Sequence, residues 1–210
     1  PAAPAPPGPG ARAAEAADLG ALAAAMRAVP EPLRDSARSF VFSDGTPGAP
    51  LMVVGEAPGR DEDVEGRPFV GAAGRLLDRM LGAIGRDRAD PDPGRAVYIA
   101  NLLPWRPPGN RPPSAEEVRR WTPFLRRHVR LAAPRALILA GNTPCLALLG
   151  QAGITRLRGQ WAEVEGVPAM PTFHPSYILR IPDAEAERKR AARQAVWDDL
   201  RAVQARLETP

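Results

Sequence analysis

Short blocks of consecutive apolar residues recur along the chain, separated by longer stretches in which apolar positions return every three or four residues. LMVV (51–54), AVYIAN (96–101) and RALILAG (135–141) are apolar almost throughout, which predicts strands buried on both faces. Leu76, Leu77, Met80, Leu81 and Ile84 share one face of GAAGRLLDRMLGAIG, predicting a helix over 71–85 that Gly85 stops. Ser114 and Glu117 form an S-x-x-E capping box, so a helix starts there and runs to about 130, and Asn142 is placed to cap another that reaches 149. A short helix over 17–28 ends before Pro30 and Pro32, SDGTPGAP (43–50) has turn chemistry, and RPPGNRPP (106–113) is a rigid irregular loop. WAEVEGVPAMPTF predicts two short strands about a Glu-Gly turn, FHPSYILRIP (173–182) a loop with helical tendency, and 184–207 a charged amphipathic helix that closes the domain. Strands alternating with helices predict a single-domain three-layer α/β/α sandwich with a mainly parallel central sheet. Functional loops of such sheets lie at the carboxyl ends of the strands, which singles out Glu56, Asn101 and His174.

A chain of 210 residues suits one well-buried domain, expected over 17–208, preceded by a disordered Pro/Ala-rich tail over 1–16. No apolar run approaches the roughly 18 residues of a membrane helix, and the opening residues lack the basic-then-apolar pattern of a secretory leader. A cytoplasmic protein with no membrane partner is expected. The net charge of +4 favours a polyanionic partner. Lys189 is the only lysine, however, and the excess of Arg, Ala, Pro and Gly reads equally well as base-composition bias. The single cysteine, Cys145, excludes an internal disulfide framework and any four-cysteine metal or iron–sulfur site, and reads as a buried core thiol.

Taken singly, the candidate motifs are ambiguous. GEAPG after a strand is either a phosphate cradle or a plain turn; Pro58 removes a donor, and the dinucleotide and Walker spacings are absent, so no nucleotide cofactor is expected. Asn101 either stabilises a turn or offers a donor and an acceptor to a heterocycle edge. His174 lies in an irregular loop, where sites concentrate, whereas His128 sits on a basic helix and reads as surface decoration.

Together, GEAPGRDEDVEGRPFVGAAGRLL, NLLPWRPPGNRPPSAEEV and TFHPSYILR occur in an order and spacing that resemble the family 4 uracil-DNA glycosylases, over roughly residues 17–200. The resemblance implies a uracil-DNA glycosylase-like fold and a monofunctional enzyme that cleaves the N-glycosidic bond of flipped-out deoxyuridine, starting base excision repair. Its partners would be uracil-containing DNA, double- or single-stranded, and free uracil as product, and a monomer is expected. By motif position, Glu56 and Glu62 are the loop carboxylates, Phe69 stacks on uracil, Asn101 reads N3 and O4, and His174 sits near O2 and the departing base. Gly55 and Ala57 complete the uracil pocket. Arg106, Asn110, Arg111, Arg158, Ser176, Ile178, Leu179 and Arg180 form the expected DNA-contacting set, with Ile178 and Leu179 as an apolar wedge and Arg180 on a phosphate.

The family usually carries a four-cysteine iron–sulfur cluster, and the matching positions here are Ala28, Glu31, Trp105 and Trp121. No metal and no cofactor is therefore expected, with the two Trp rings filling the cluster's volume or standing as unrelated core rings. No Arg-rich insertion carrying a His is present, since TRLRGQW (155–161) lacks one, so a covalent adduct with DNA is not expected. A catalytically weak uracil-binding relative, and a glycosylase of broader deaminated-base range, stand as alternatives. The joint presence of Glu56, Asn101 and His174 speaks against the first, and Asn101 against the second.

Overall fold

The computed structural model describes residues 8–209. Six strands form one sheet: β1 (Ser43–Gly45), β2 (Leu51–Gly55), β3 (Val97–Asn101), β4 (Ala136–Ala140), β5 (Ala162–Val164) and β6 (Val167–Thr172), in the order β1-β3-β2-β4-β6-β5. The inner four are parallel, and β1 and β5 are short antiparallel edges. The chain moves from β2 to β3 on one side and then crosses to β4 on the other, so β2 stands at the switch in strand order where open sheets hold their ligands.

Alternation along the strands sends side chains to two cores. Met52, Val54, Tyr98, Ala100, Leu137 and Leu139 pack in one core with α1 (Pro9–Glu15), α2 (Leu19–Arg27), α3 (Leu33–Ser36), α6 (Ala115–Ala132) and α7 (Asn142–Leu149). Leu51, Val53, Val97, Ile99, Ala136 and Ile138 pack under α5 (Ala72–Gly82), α9 (Pro175–Arg180) and α10 (Ala186–Glu208). The expected three-layer sandwich is thus the architecture, and the apolar strands read as continuous runs because both of their faces are covered. Among the described residues, no helix is long and apolar enough to cross a membrane.

Several local expectations are corrected. Residues 9–15, placed in a disordered tail, form α1, whose Ala13 is buried; Arg127 of α6 donates to the Ala16 carbonyl (Nε–O 2.9 Å). Residues 1–7 of that tail lie outside the described residues. Ser43–Gly45, read as turn, pairs with β3 because the outer edge of β3 would otherwise leave backbone groups unmatched. The acidic loop contains a helix, α4 (Arg60–Glu65), with Asp61 and Glu62 in its first turn beside the free N–H groups that favour negative charge. Gly141, not Asn142, is the N-cap of α7; the Asn142 side chain instead accepts from the amides of Gly153 and Ile154, which open α8 (Ile154–Leu157). His128, read as surface decoration, is fully buried: its Nε2 lies 2.8 Å from the Tyr98 hydroxyl and its ring stacks on Phe42. The Ser114–Glu117 capping box forms as expected, with both reciprocal bonds made.

Candidate active site

The carboxyl ends of the parallel strands converge. Gly55 pairs in register with Asn101 across β2 and β3, and Leu103 N donates to the Glu56 carbonyl (3.0 Å), so the two strand ends leave the sheet side by side. Two adjoining cavities open there. One, of about 240 Å³, is lined by Glu56, Ala57, Glu62, Phe69, Asn101 and His174, with Asn110 and Arg111 also on its wall. The other, of about 280 Å³, lies on the far side of Glu56 and His174, against Gly141, Asn142 and Phe173. Glu56, His174, Ser176 and Arg180 belong to both. Ligand sites for drug-sized molecules run to roughly 300–1,000 Å³, so the first cavity suits a single small heterocycle.

Asn101 is buried at the end of β3, and its Oδ1 is the one buried side-chain polar atom without a hydrogen-bond partner among the described residues. Leaving such an atom unmatched costs about 1–3 kcal/mol, so an orphaned acceptor on a side chain that lines a cavity marks a place where a donor is to be received. Gly55 makes room for it. A Cβ at residue 55 would collide with that oxygen and would lie 2.5 and 2.6 Å from Cε2 and Cζ of Phe69. The Phe69 ring stands beside the imidazole of His174, centroids 5.4 Å apart at 28°.

His174 is the N-cap of α9. Its Nδ1 accepts from the Ser176 amide (3.1 Å) and lies 2.8 Å from the Ser176 hydroxyl, which in turn accepts from Arg180 (2.9 Å). With Nδ1 an acceptor, the neutral ring carries its proton on Nε2. Burial, and then the charge of Arg180, pushes the His174 pKa down to about 4. At neutral pH the site therefore holds an uncharged imidazole whose free edge is an N–H donor.

The two loop carboxylates differ in their surroundings. Glu56 accepts from the Thr143 hydroxyl, in the first turn of α7, through Oε2 alone. Glu62 accepts three backbone N–H bonds, from Gly59 (3.0 Å), Val70 (2.9 Å) and Gly71 (2.9 Å). Glu62 borders the cavity, but both of its oxygens are taken up in holding the loop. Thr143 carried no sequence signal, since a Thr in the first turn of an Ala/Leu-rich helix looks like ordinary helix-start chemistry.

A family model of the Uracil DNA glycosylase superfamily matches residues 42–201. The chain belongs to the uracil DNA glycosylase superfamily. It is 37% identical over 164 residues to the Type-4 uracil-DNA glycosylase of Archaeoglobus fulgidus, covering 74% of this chain and 79% of that protein. It is 35% identical over 172 residues to the Type-4 uracil-DNA glycosylase of Thermotoga maritima, covering 80% and 83%.

The cluster implied by the resemblance does not fit this member of the superfamily. Trp121 is wholly buried, and its indole N–H donates to Glu31 Oε2 (3.1 Å), which also accepts from Arg120 (3.0 Å). Two of the four matching positions are thus joined by a hydrogen bond between a ring and a carboxylate, and none supplies a thiolate. Trp105 is buried against Phe40, centroids 5.1 Å apart. Cys145, the one thiol, is buried in α7, and burial raises its pKa to about 12.

The expected DNA-contacting residues divide. Asn110 and Arg111 stand on the cavity wall; Arg106 donates to Asn110 Oδ1 (2.7 Å), and Arg111 holds Glu117 through two bonds (2.7 and 2.8 Å) that bring that carboxyl to a pKa of about 2. Ser176 and Arg180 face both cavities. Ile178 and Leu179, expected together as a wedge, point different ways because neighbours on a helix are about 100° apart. Leu179 is 41% exposed, whereas Ile178 is 2% exposed in the core beneath α9 and cannot enter a duplex. Arg158 lines neither cavity. It donates to both oxygens of buried Asp199 and to the Ala195 carbonyl, anchoring α10, so it is withdrawn from the DNA-contacting set.

Proposed function

We propose that this protein is a uracil-DNA glycosylase that hydrolyses the N-glycosidic bond of deoxyuridine turned out of DNA, and so begins base excision repair. The observation that carries the reading is that Asn101, whose Oδ1 is buried without a partner, lines a heterocycle-sized cavity. Uracil offers a donor at N3–H beside an acceptor at O4. The Asn101 carboxamide meets both, Oδ1 receiving N3–H and Nδ2 donating to O4. Cytosine reverses each group and is refused. Phe69 covers one face of the base, and a cavity recessed among the strand ends is reached only by a nucleotide turned out of the stack.

In the reaction the C1′–N1 bond breaks with its electron pair passing to uracil. The neutral His174 donates its Nε2–H toward O2, where the negative charge of the departing base gathers. A neutral donor serves here without having to surrender its proton. The Glu56 carboxylate faces the sugar as it gains oxocarbenium character, and the Thr143 bond leaves Oε1 to orient a water. That water adds to C1′ and loses its proton, and the uracil anion takes one from solvent. Glu62 is assigned to the loop scaffold rather than to chemistry.

The test is an oligonucleotide with one deoxyuridine, treated with enzyme and then alkali, beside matched deoxycytidine and hypoxanthine strands. Strand scission on deoxyuridine alone is expected, with His174→Ala slower by about 10²–10³-fold and binding DNA as before. Binding without scission would leave the protein a uracil-binding relative, and scission at hypoxanthine would leave it a broader glycosylase.

A further inference from the structure

Among the described residues, Phe69 is one of four non-glycine residues with positive φ, at 54°. For a residue with a bulky side chain that conformation costs about 1–3 kcal/mol and persists only where the surroundings impose it. Those surroundings are specific. Arg88, from the loop between α5 and β3, donates to the Pro68 carbonyl (2.9 Å) and to the Phe69 carbonyl (2.9 Å). Its guanidinium is held by Asp44 (3.0 Å) and Asp78 (2.7 and 2.9 Å), and the side chain is only 11% exposed. Gly74 lets the turned carbonyl lie against α5, since a Cβ at residue 74 would collide with it. From the other side, Glu62 takes the amides of Val70 and Gly71. The chain on either side of the Phe69 ring is therefore gripped at two carbonyls and two amides.

We infer that Arg88 is a positioning residue for base recognition: by fixing the Pro68 and Phe69 carbonyls it holds Phe69 in a backbone conformation the residue would otherwise leave, and so keeps the ring against Gly55 and His174 where the uracil must stack. The inference rests on the proposed uracil pocket. It goes beyond it in placing a determinant of base affinity on a residue that borders neither cavity, 19 positions after the ring it controls. Arg suits this position because its five donors lie in a fixed plane. One guanidinium reaches two carbonyls and two carboxylates at once, which a single ammonium cannot.

The experiment measures product inhibition by free uracil and single-turnover cleavage for wild type, Arg88→Ala, Phe69→Ala and the double variant. A base stacked on an aromatic ring loses about 10-fold or more in affinity when the ring is removed. Both single variants are expected to weaken uracil inhibition to that extent, and the double variant to be no weaker than Phe69→Ala alone. Non-additivity is the signature of two residues acting through one ring, whereas general loosening of the fold would multiply the two losses. Arg88→Lys keeps the charge between Asp44 and Asp78 and is expected to restore part of the affinity; it carries the same comparison if the alanine variant does not fold. Uracil inhibition unchanged in Arg88→Ala or Arg88→Lys, or losses that multiply, would overturn the inference. A wild-type enzyme that neither cleaves deoxyuridine nor responds to uracil would instead overturn the proposed function beneath it.

Discussion

Gly55→Ala is the sharpest perturbation of the pocket, because it adds one methyl group and removes nothing. The new Cβ would lie 2.5 and 2.6 Å from two Phe69 ring carbons and would collide with Asn101 Oδ1. Carbon–carbon contact settles at about 3.5–4.0 Å, so the ring or the strand must yield by roughly 1 Å. Phe69 has little freedom to do so, with its carbonyl on Arg88. Gly55 does not occupy the positive-φ region, so Ala meets no backbone strain and recovers about 0.5–1 kcal/mol of the entropy a glycine forfeits in a strand. Against an overpacking cost of about 1–3 kcal/mol, the net loss is at most about 2.5 kcal/mol. At roughly 2–4 °C per kcal/mol for a chain of this length, the melting temperature falls by no more than about 10 °C. Catalysis is far less tolerant, since a displacement of about 1 Å can cost 10²-fold. Single-turnover cleavage of a deoxyuridine oligonucleotide, well below the melting transition, should therefore slow by about that factor. Gly82→Ala is the matched control, because a Cβ there meets nothing within 4 Å; it should leave the rate unchanged. A Gly55→Ala enzyme that folds and cleaves at the wild-type rate would show that Asn101 and Phe69 do not surround the base.

Leu179→Ala should lose activity on duplex deoxyuridine far more than on single strands at an unchanged melting temperature, while Ile178→Ala should lose about 2–5 kcal/mol of stability, read from urea denaturation. Asn101→Asp gives up the amide donor proposed to meet O4, so cleavage of deoxyuridine should fall by orders of magnitude, and any remaining activity should extend to deoxycytidine in the same gel assay. Burial lowers the pKa of His128 to about 3 from an unfolded value near 6.5. Between these limits the unfolded chain binds a proton that the folded chain does not, so stability is full above about pH 6.5 and declines as pH falls toward 3, by up to about 1.4 kcal/mol per unit. Urea midpoints should fall across that window, and more steeply in wild type than in His128→Gln.

What the sequence made legible follows from which signals are local. β2 and β4 declare themselves because burial on both faces leaves them no polar positions, and α6 declares itself through Ser114 and Glu117. Glu56, Asn101 and His174 are legible because each ends or closely follows a strand, and the parallel order brings the ends of those strands to one rim. The edge strand β1 is not legible, since Ser-Asp-Gly has no strand propensity and pairs only because β3 offers it an edge. Ile178 and Leu179 looked equivalent in sequence, and the phase of a six-residue helix decided which faces solvent. Arg88, Thr143 and the true partner of Arg158 are invisible for another reason: their contacts span 10 to 87 positions and depend on the completed fold.

The strand order also bears on how the protein is made. β2, β3 and β4 precede β6 in the chain, so a chain truncated or exposed only as far as residue 166 has three parallel strands with one flank of β4 still unpaired. An open apolar strand edge is the surface on which chains pair wrongly. The segment that covers it, Val167–Thr172, runs straight into Phe173 and His174. The act that closes the sheet therefore delivers the last of the proposed site residues, and truncated products should be inert as well as prone to aggregate.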